Sequence, residues 1–255
     1  MTKLTRRCRK NLIFIMSFIL IILIILAIYL VSNRKEPDAK IGNYEINIGE
    51  SVYHSATHTG FIEFSIEADN HAQKRFLDDS GNQYMLGLAS DDQEIDSWVC
   101  EVTCSAGIES VKILYVYPDY DISTLKLIIK DVTNGNILES VPLEIDVKGE
   151  SKEYKCTTAN AVIRISASGM YVDKKNISSL MPEAFNVSSA RVKCTDKTYV
   201  VNMATNTDIQ STDEYEAINP EVFAEDENTG CQIYAFDFPE WDSVESIELG
   251  NYVFL

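Results

Sequence analysis

The hydrophobic positions of the chain follow two patterns, one near the start and one through the remainder. Residues 12–31 form an apolar run without a charged residue. A helix of that length spans about 30 Å, the thickness of the hydrocarbon core of a bilayer, because each residue adds about 1.5 Å. From residue 41 onward, short segments alternate apolar and polar residues with the period of a β-strand. The pattern predicts one transmembrane helix at 12–31, followed by an all-β body.

The body contains several strand-like segments and few stretches with helical period. The clearest alternations are rich in β-branched and aromatic residues, as strands are, and lie at Tyr44–Ile48, Ile62–Ile66, Ile113–Tyr117 and Tyr234–Phe238. In a further segment, the spacing of two predicts that four residues share one face of a strand: Trp98, Cys100, Val102 and Cys104. We expect short helices only near Ser178–Phe185 and Thr212–Ile218.

Two sequence blocks occur twice in the body, in the same order. The first is a polar turn followed by a strand that begins with tyrosine, at Leu77–Ser90 and again at Val192–Thr205. The second ends a strand with aromatic, proline and acidic residues, at Tyr115–Asp121 and again at Phe236–Asp242. The repetition predicts two tandem β-sandwich domains of the immunoglobulin-like kind, since about 100 residues of short strands suit that fold. The predicted boundaries are a linker at 32–40, domain 1 at 41–147, a joint at 148–152 and domain 2 at 153–255.

These blocks resemble the immunoglobulin-like ectodomains that Gram-positive bacteria carry behind a single membrane anchor. Some of those ectodomains belong to anti-sigma-type regulators, and many have no assigned function. The resemblance implies an extracytoplasmic body that binds or senses. Residues 1–11 are too few to form the folded cytosolic domain of such a regulator, so the resemblance covers the ectodomain alone.

Charge indicates how the chain is oriented across the membrane. Residues 1–35 hold seven Lys/Arg and no acid, whereas the remaining residues hold 15 Lys/Arg against 39 Asp/Glu, a formal charge of −24. Five basic residues precede the apolar run and three follow it closely, which favours a cytoplasmic tail at 1–11 and a body outside the membrane. The alternative is a cleaved signal peptide, but the run is long and its end lacks an Ala-x-Ala site. The acidic body also argues against nucleic-acid binding.

The body has an odd number of cysteines, which are Cys100, Cys104, Cys156, Cys194 and Cys231. At least one therefore stays unpaired or pairs between chains. On one strand, Cys100 and Cys104 lie about 13 Å apart, beyond the reach of a disulfide, and we expect both in the core. A pair among the other three is left open.

The candidate catalytic and metal-ligating residues form no recognisable motif. His54 and His58 lie between strand segments beside threonines and a glycine, so a solvated loop is expected, and His71 is isolated. Neither an HExxH nor a G-x-S-x-G motif is present. The acidic runs at 78–79, 91–96 and 225–228 are expected to be solvated turns, although calcium binding by them stays open. We therefore predict no catalytic, cofactor-binding or metal-binding residue and no cofactor.

One stretch of domain 2 is longer than its counterpart in domain 1. Residues 171–190 include Lys174 and Lys175 within the acidic body, and the glycan acceptor patterns at Asn176 and Asn186. A tolerated insertion is one interpretation, and a recognition loop is the other.

These observations lead to three hypotheses about function. The first is a membrane-anchored, extracytoplasmic, non-catalytic interaction or accessory protein of the cell envelope, which contacts the bilayer through 12–31 and an unknown protein through its body. The second is a sensory or regulatory ectodomain that signals through its anchor to a membrane partner. The third is a surface hydrolase that uses paired carboxylates.

Overall fold

The computed structural model describes residues 36–68, 76–77, 84–91, 93–105, 107–117, 122–173, 188–204, 207–226 and 230–255, together with Ile19 and Ile22. The chain divides into two compact units, Met1–Pro37 and Asp38–Leu255. Within the described residues, no helix has both the length and the apolar character needed to cross a membrane. Several predictions lie outside the described residues: the tail at 1–11, the helix at 12–31 apart from Ile19 and Ile22, the helix at Ser178–Phe185, His71, Asn176 and Asn186.

The first half of the Asp38–Leu255 unit is built from ten strands among its described residues. They are β1 (Ala39–Ile41), β2 (Tyr44–His54), β3 (Thr59–Ala68), β4 (Tyr84–Ser90), β5 (Gln93–Ile95), β6 (Ser97–Ser105), β7 (Ile108–Val116), β8 (Leu125–Asp131), β9 (Ile137–Pro142) and β10 (Asp146–Lys148). A 3-10 turn at Ile122–Thr124 precedes β8.

The second half contributes ten more strands among the residues described. They are β11 (Lys152–Lys155), β12 (Val162–Ser166), β13 (Gly169–Val172), β14 (Ser189–Cys194), β15 (Thr198–Asn202), β16 (Glu216–Ile218), β17 (Val222–Asp226), β18 (Cys231–Ala235), β19 (Val244–Leu249) and β20 (Tyr252–Phe254). A 3-10 turn at Trp241–Ser243 precedes β19. The described part of the Asp38–Leu255 unit is thus all-β, as predicted, with several antiparallel sheets that are consistent with a β-sandwich.

The strands form four sheets. Sheet A has the order β1-β2-β3-β7-β6, with β10 also paired to β2, and sheet B has the order β5-β4-β8-β9. Sheet C has the order β11-β12-β13-β18-β17, and sheet D has the order β16-β15-β14-β19-β20. The pairings are antiparallel except for β10 on β2 and β16 on β15, which are parallel.

The two halves connect their strands in the same way. The order β2-β3-β7-β6 of sheet A corresponds to β12-β13-β18-β17 of sheet C, and β5-β4-β8-β9 corresponds to β15-β14-β19-β20. The second repeated block fits this correspondence, because β7 and β18 each lead through a 3-10 turn to the equivalent strands β8 and β19. The first block was aligned wrongly: Tyr84 begins β4, whose counterpart is β14, whereas Tyr199 lies in β15.

Apolar side chains hold the sheets together in the order B, A, C, D. The cluster between sheets A and B includes Ile62, Ile113 and Leu127, and the cluster between C and D includes Ile165 and Ile247. A third, smaller cluster lies between A and C. Strand alternation explains this stacking: successive residues point to opposite faces, so strands of the two inner sheets bury side chains on both sides.

One predicted helix is wrong. The Thr212–Ile218 segment ends in β16, which pairs with β15 in parallel. The preceding polar residues bond the local backbone instead, since the Ala217 amide donates to Ser211 Oγ and the Glu214 amide donates to Thr212 Oγ1. Such side-chain bonds compete with a helix.

Candidate functional site

Sheet A and sheet C meet at a buried apolar junction. Leu114 and Val116 of β7 pack against Tyr171, Ile233 and Ala235 of sheet C, and all five are buried. Large side chains from both halves are therefore removed from water together, which stabilises the contact between them.

A chain of buried polar side chains continues the junction. Thr57 Oγ1 lies 2.8 Å from Ser166 Oγ, Thr59 Oγ1 lies 2.7 Å from Ser168 Oγ, and His54 Nδ1 lies 2.8 Å from Ser168 Oγ. All five residues are at most 5% exposed. Hydrogen bonding offsets the cost of burying these groups, and each of these three bonds joins one half to the other.

A glycine allows the backbones to approach at this junction. Gly169 has a φ of +151°, and a Cβ there would lie 2.1 Å from the Tyr234 carbonyl oxygen and 3.0 Å from the Thr59 methyl group. No larger residue fits that position without moving the strands.

The prediction that His54 and His58 lie in a solvated loop is wrong. They are 3% and 5% exposed, because sheet C covers the turn between β2 and β3. His58 Nδ1 lies 3.2 Å from the Tyr53 hydroxyl, and its ring packs 5.5 Å from that of Tyr171. Burial and the charge of Lys148 lower the pKa of His54.

The serine and histidine in contact do not form an accessible nucleophile. Ser168 is fully buried and shares its hydroxyl with Thr59 as well as His54. A substrate has no route to that oxygen, so the pair acts as a structural contact between the two halves.

Beside this junction, the face of sheet A that is turned towards sheet C forms an open polar groove. It has a volume of about 400 Å³ and crosses β2, β3, β7 and β6. Its charged and hydroxyl-bearing lining includes Glu50, Glu63, Ser65, Glu101, Thr103 and Lys112. The groove therefore presents carboxylates and hydroxyls on a rigid sheet.

Lys112 connects the groove to the second half. Its Nζ lies 2.9 Å from Asp237 Oδ1 and 3.5 Å from Glu63 Oε1, and its side chain is 14% exposed. Partial burial lowers the pKa of Lys112, but the hydrogen bond to Asp237 and the two carboxylate charges outweigh this effect and raise it.

The remaining charges leave the groove acidic. Glu50 pairs with Lys148 at 3.3 Å, whereas Glu101 makes no ion pair with any residue that the structure describes. With Asp237 and both lysines included, four carboxylates face two ammonium groups, a formal charge of −2.

The groove is bordered by β6, the last strand of sheet A, whose free edge pairs with no other strand among the residues that the structure describes. Trp98 is 54% exposed and Val102 is 44% exposed. The expectation that Cys100 and Cys104 fill the core is wrong for Cys104, which is exposed, and Cys100 is half-buried. Burial raises the pKa of Cys100 to about 11.

The four alternating residues of β6 do not share one face. A bulge between Val99 and Glu101 shifts the register, so that Trp98 lies opposite Leu114 and Val102 lies opposite Val111. Leu114 faces sheet C, whereas Val111 faces sheet B. The prediction of a single face is wrong because a bulge reverses the alternation.

The other cysteines lie inside the second half. Cys156, Cys194 and Cys231 are buried thiols, and none is bridged to another of the three. The thiol of Cys231 lies 3.7 Å from Asp173 Oδ1, to which it donates a weak hydrogen bond.

The described parts of the acidic runs are separate from one another. Glu94 pairs with Lys130, and Asp91 lies in a turn with a φ of 45°. Glu225 and Asp226 end β17 rather than forming a turn, and residues 78–79 lie outside the described residues. Among the described residues, no group of three or more His, Cys, Asp or Glu could hold a metal ion.

Comparison of the chain with known protein families, with curated proteins and with solved structures finds no match in any of the three.

Proposed function

We propose that the chain is a single-pass membrane protein with a cytoplasmic N-terminus, whose body is a non-catalytic interaction module of the cell envelope. The body consists, in this proposal, of two tandem immunoglobulin-like β-sandwiches. It holds a protein partner at the groove and at the neighbouring edge of β6.

The strand order supports the immunoglobulin-like assignment. In that fold one sheet has the order A-B-E-D, and the other has the order C-F-G with an added C′ in many members. Lettered in chain order, β2-β3-β7-β6 gives A-B-E-D and β5-β4-β8-β9 gives C′-C-F-G. The same lettering fits the second half, which supports a tandem repeat.

The sequence supports the anchor and its orientation. Residues 12–31 are long and apolar enough to span a bilayer as a helix, and basic residues are concentrated before them.

The single observation that carries the interaction role is the edge of β6, which no other described strand covers. Proteins keep the edges of their sheets short or covered, because an open edge pairs with other chains. This edge is nine residues long, carries an exposed tryptophan and borders an acidic groove. Exposed aromatic residues next to polar groups are typical of protein interfaces.

Thiol labelling tests the orientation. Cys104 is exposed, Cys100 is half-buried, and Cys156, Cys194 and Cys231 are buried. Replacing Cys100 and Cys8, the cysteine of the 1–11 tail, by serine therefore leaves Cys104 as the one accessible thiol among the described residues of the body. A membrane-impermeant maleimide should label this variant in intact cells, and Cys104→Ser should remove the label. Labelling only after permeabilisation would contradict the orientation.

Site-specific photo-cross-linking tests the interaction. A photoreactive amino acid at Thr103, in the groove, should give a discrete cross-linked protein in native cells. The matched control is the same amino acid at Glu245, which is exposed on sheet D. Equal adducts from both positions would refute binding at the groove. A partner that also binds residues 1–35 fused to an unrelated body would instead favour the signalling alternative.

A further inference from the structure

We propose that the partner contributes an extended segment with alternating basic and apolar side chains, which adds as a strand to the edge of β6. This inference rests on the interaction role proposed above and names the chemistry of the segment bound there.

The length of β6 distinguishes it from the other edges. Among the described residues, the remaining edge strands of the four sheets have three to six residues, whereas β6 has nine. An added strand gains affinity from main-chain hydrogen bonds, whose number grows with the length of the edge. Of these edges, β6 offers the longest template.

The two faces of β6 make different demands on an added strand. Glu101 lies opposite Lys112 and lines the groove with Thr103, on the face of sheet A that is turned towards sheet C. Val102 points with Val111 to the face turned towards sheet B, and it is exposed at the edge, where β6 has no further neighbouring strand among the described residues. Side chains of an added strand alternate between these faces. Those on the groove side meet carboxylates, and those on the other side meet Val102.

Charge decides which side chains suit the groove side. Glu101 pairs with no described cation, and the groove carries a formal charge of −2 within a body of −24. Lysine or arginine therefore complements the groove, and the surrounding field attracts a basic segment before contact. A second copy of this chain would bring the same excess of carboxylates to the edge, which disfavours self-pairing.

The experiment uses the full chain in nanodiscs of zwitterionic lipid and a synthetic probe. The probe is a nine-residue peptide of alternating valine and lysine, blocked at both ends, and binding is measured by calorimetry at about 0.15 M salt. We expect Glu63→Gln with Glu101→Gln to weaken binding about tenfold, because two charge-assisted contacts are lost. The matched control is Glu214→Gln with Glu245→Gln, the same change at exposed carboxylates of the second half, and it should weaken binding less than about twofold.

Backbone modification separates strand addition from simple attraction of cations. Two further peptides carry N-methyl groups on every valine or on every lysine, which blocks one hydrogen-bonding edge at a time. At least one of them should lose binding. The proposal would be overturned if both methylated peptides bound as tightly as the unmethylated peptide. It would also be overturned if the Glu63/Glu101 variant and the Glu214/Glu245 variant lost binding equally.

Different results would contradict this inference and the proposed function. A groove cross-link in cells without valine–lysine binding would overturn the basic strand and keep the interaction role. Concentration-dependent dimerisation of the full chain through β6, measured by sedimentation, would replace the partner with a second copy. Circular dichroism of each variant shows that it is folded.

Discussion

Shortening Leu114 to alanine tests whether the two halves unfold together. This side chain is 1% exposed and belongs to the cluster between sheets A and C. Leucine-to-alanine changes at such sites cost about 2–5 kcal/mol, because they remove buried carbon atoms and leave a cavity. A loss of about 3 kcal/mol lowers the folding equilibrium constant about 150-fold.

The chain contains one tryptophan in each half, which allows the two halves to be followed separately. Trp98 lies in β6 and Trp241 in the turn before β19. Single-tryptophan backgrounds are made with Trp98→Phe or Trp241→Phe, and urea unfolding of the full chain in detergent is followed by fluorescence. With a urea dependence of about 2–3 kcal/mol per molar, Leu114→Ala should lower the midpoint by about 1 M in both backgrounds.

The same change at an exposed leucine provides the control. Leu138 in β9 is 47% exposed, so Leu138→Ala should cost less than about 0.5 kcal/mol. If Leu114→Ala moves only the Trp98 transition, the cluster stabilises sheet A alone and the coupling argument fails.

Three further changes probe single features. The pKa of His54 is lowered in the folded protein. Between this lowered pKa and about 6.5, His54 therefore binds a proton more readily in the unfolded chain than in the folded one. The free energy of unfolding should consequently fall as the pH drops from 7 towards 5. His54→Asn should flatten this part of the pH profile in urea titrations, and an unchanged slope would exclude His54 as its source. At pH 8 a thiol reagent should modify Cys104 rapidly and Cys100 slowly, since burial raises the pKa of Cys100 to about 11. Equal modification rates in the Cys100→Ser and Cys104→Ser variants would contradict the burial of Cys100. Gly169→Ala should cost about 3 kcal/mol or more, because its Cβ would lie 2.1 Å from a carbonyl oxygen, and a thermal midpoint equal to that of the unaltered chain would contradict this close approach.

Period-2 alternation was sufficient to predict most of the strands it was applied to. Tyr44–Ile48 lies within β2 and Ile62–Ile66 lies within β3, because these strands bury one face in the core between sheets A and B. The alternation could not show which strands lie at an edge. The strand β6 alternates like a covered strand, yet its outward residues are exposed and its bulge changes their faces.

The junction and the groove depend on contacts that a single sequence does not reveal. His54 and Ser168 are separated by 114 positions along the chain, and the sequence around His54 resembles an ordinary polar loop. One local signal was available: residues 166–169 read Ser-Ala-Ser-Gly, a run of small residues that allows two backbones to approach. The groove takes side chains from four strands, so its composition follows from register and not from any local motif.

The parallel pairing of β10 with β2 has a mechanical consequence. The chain passes from the first half to the second through β10, whose three residues lie beside Val52, Tyr53 and His54 at the end of β2. Tension between residues ahead of β1 and the second half would first peel β1 from β2, since that pair is an antiparallel hairpin. The tension would then act on the N-terminal end of β2 and on the C-terminal end of β10. Because these strands are parallel, the two forces point in opposite directions along them.

Strands pulled in this way slide past each other, and their hydrogen bonds must break together and not one after another. The hydrogen bond between His54 and Ser168 of the second half strengthens the same place, because His54 pairs with the last residue of β10. Separating β10 from β2 is therefore expected to need more force than peeling β1 from β2.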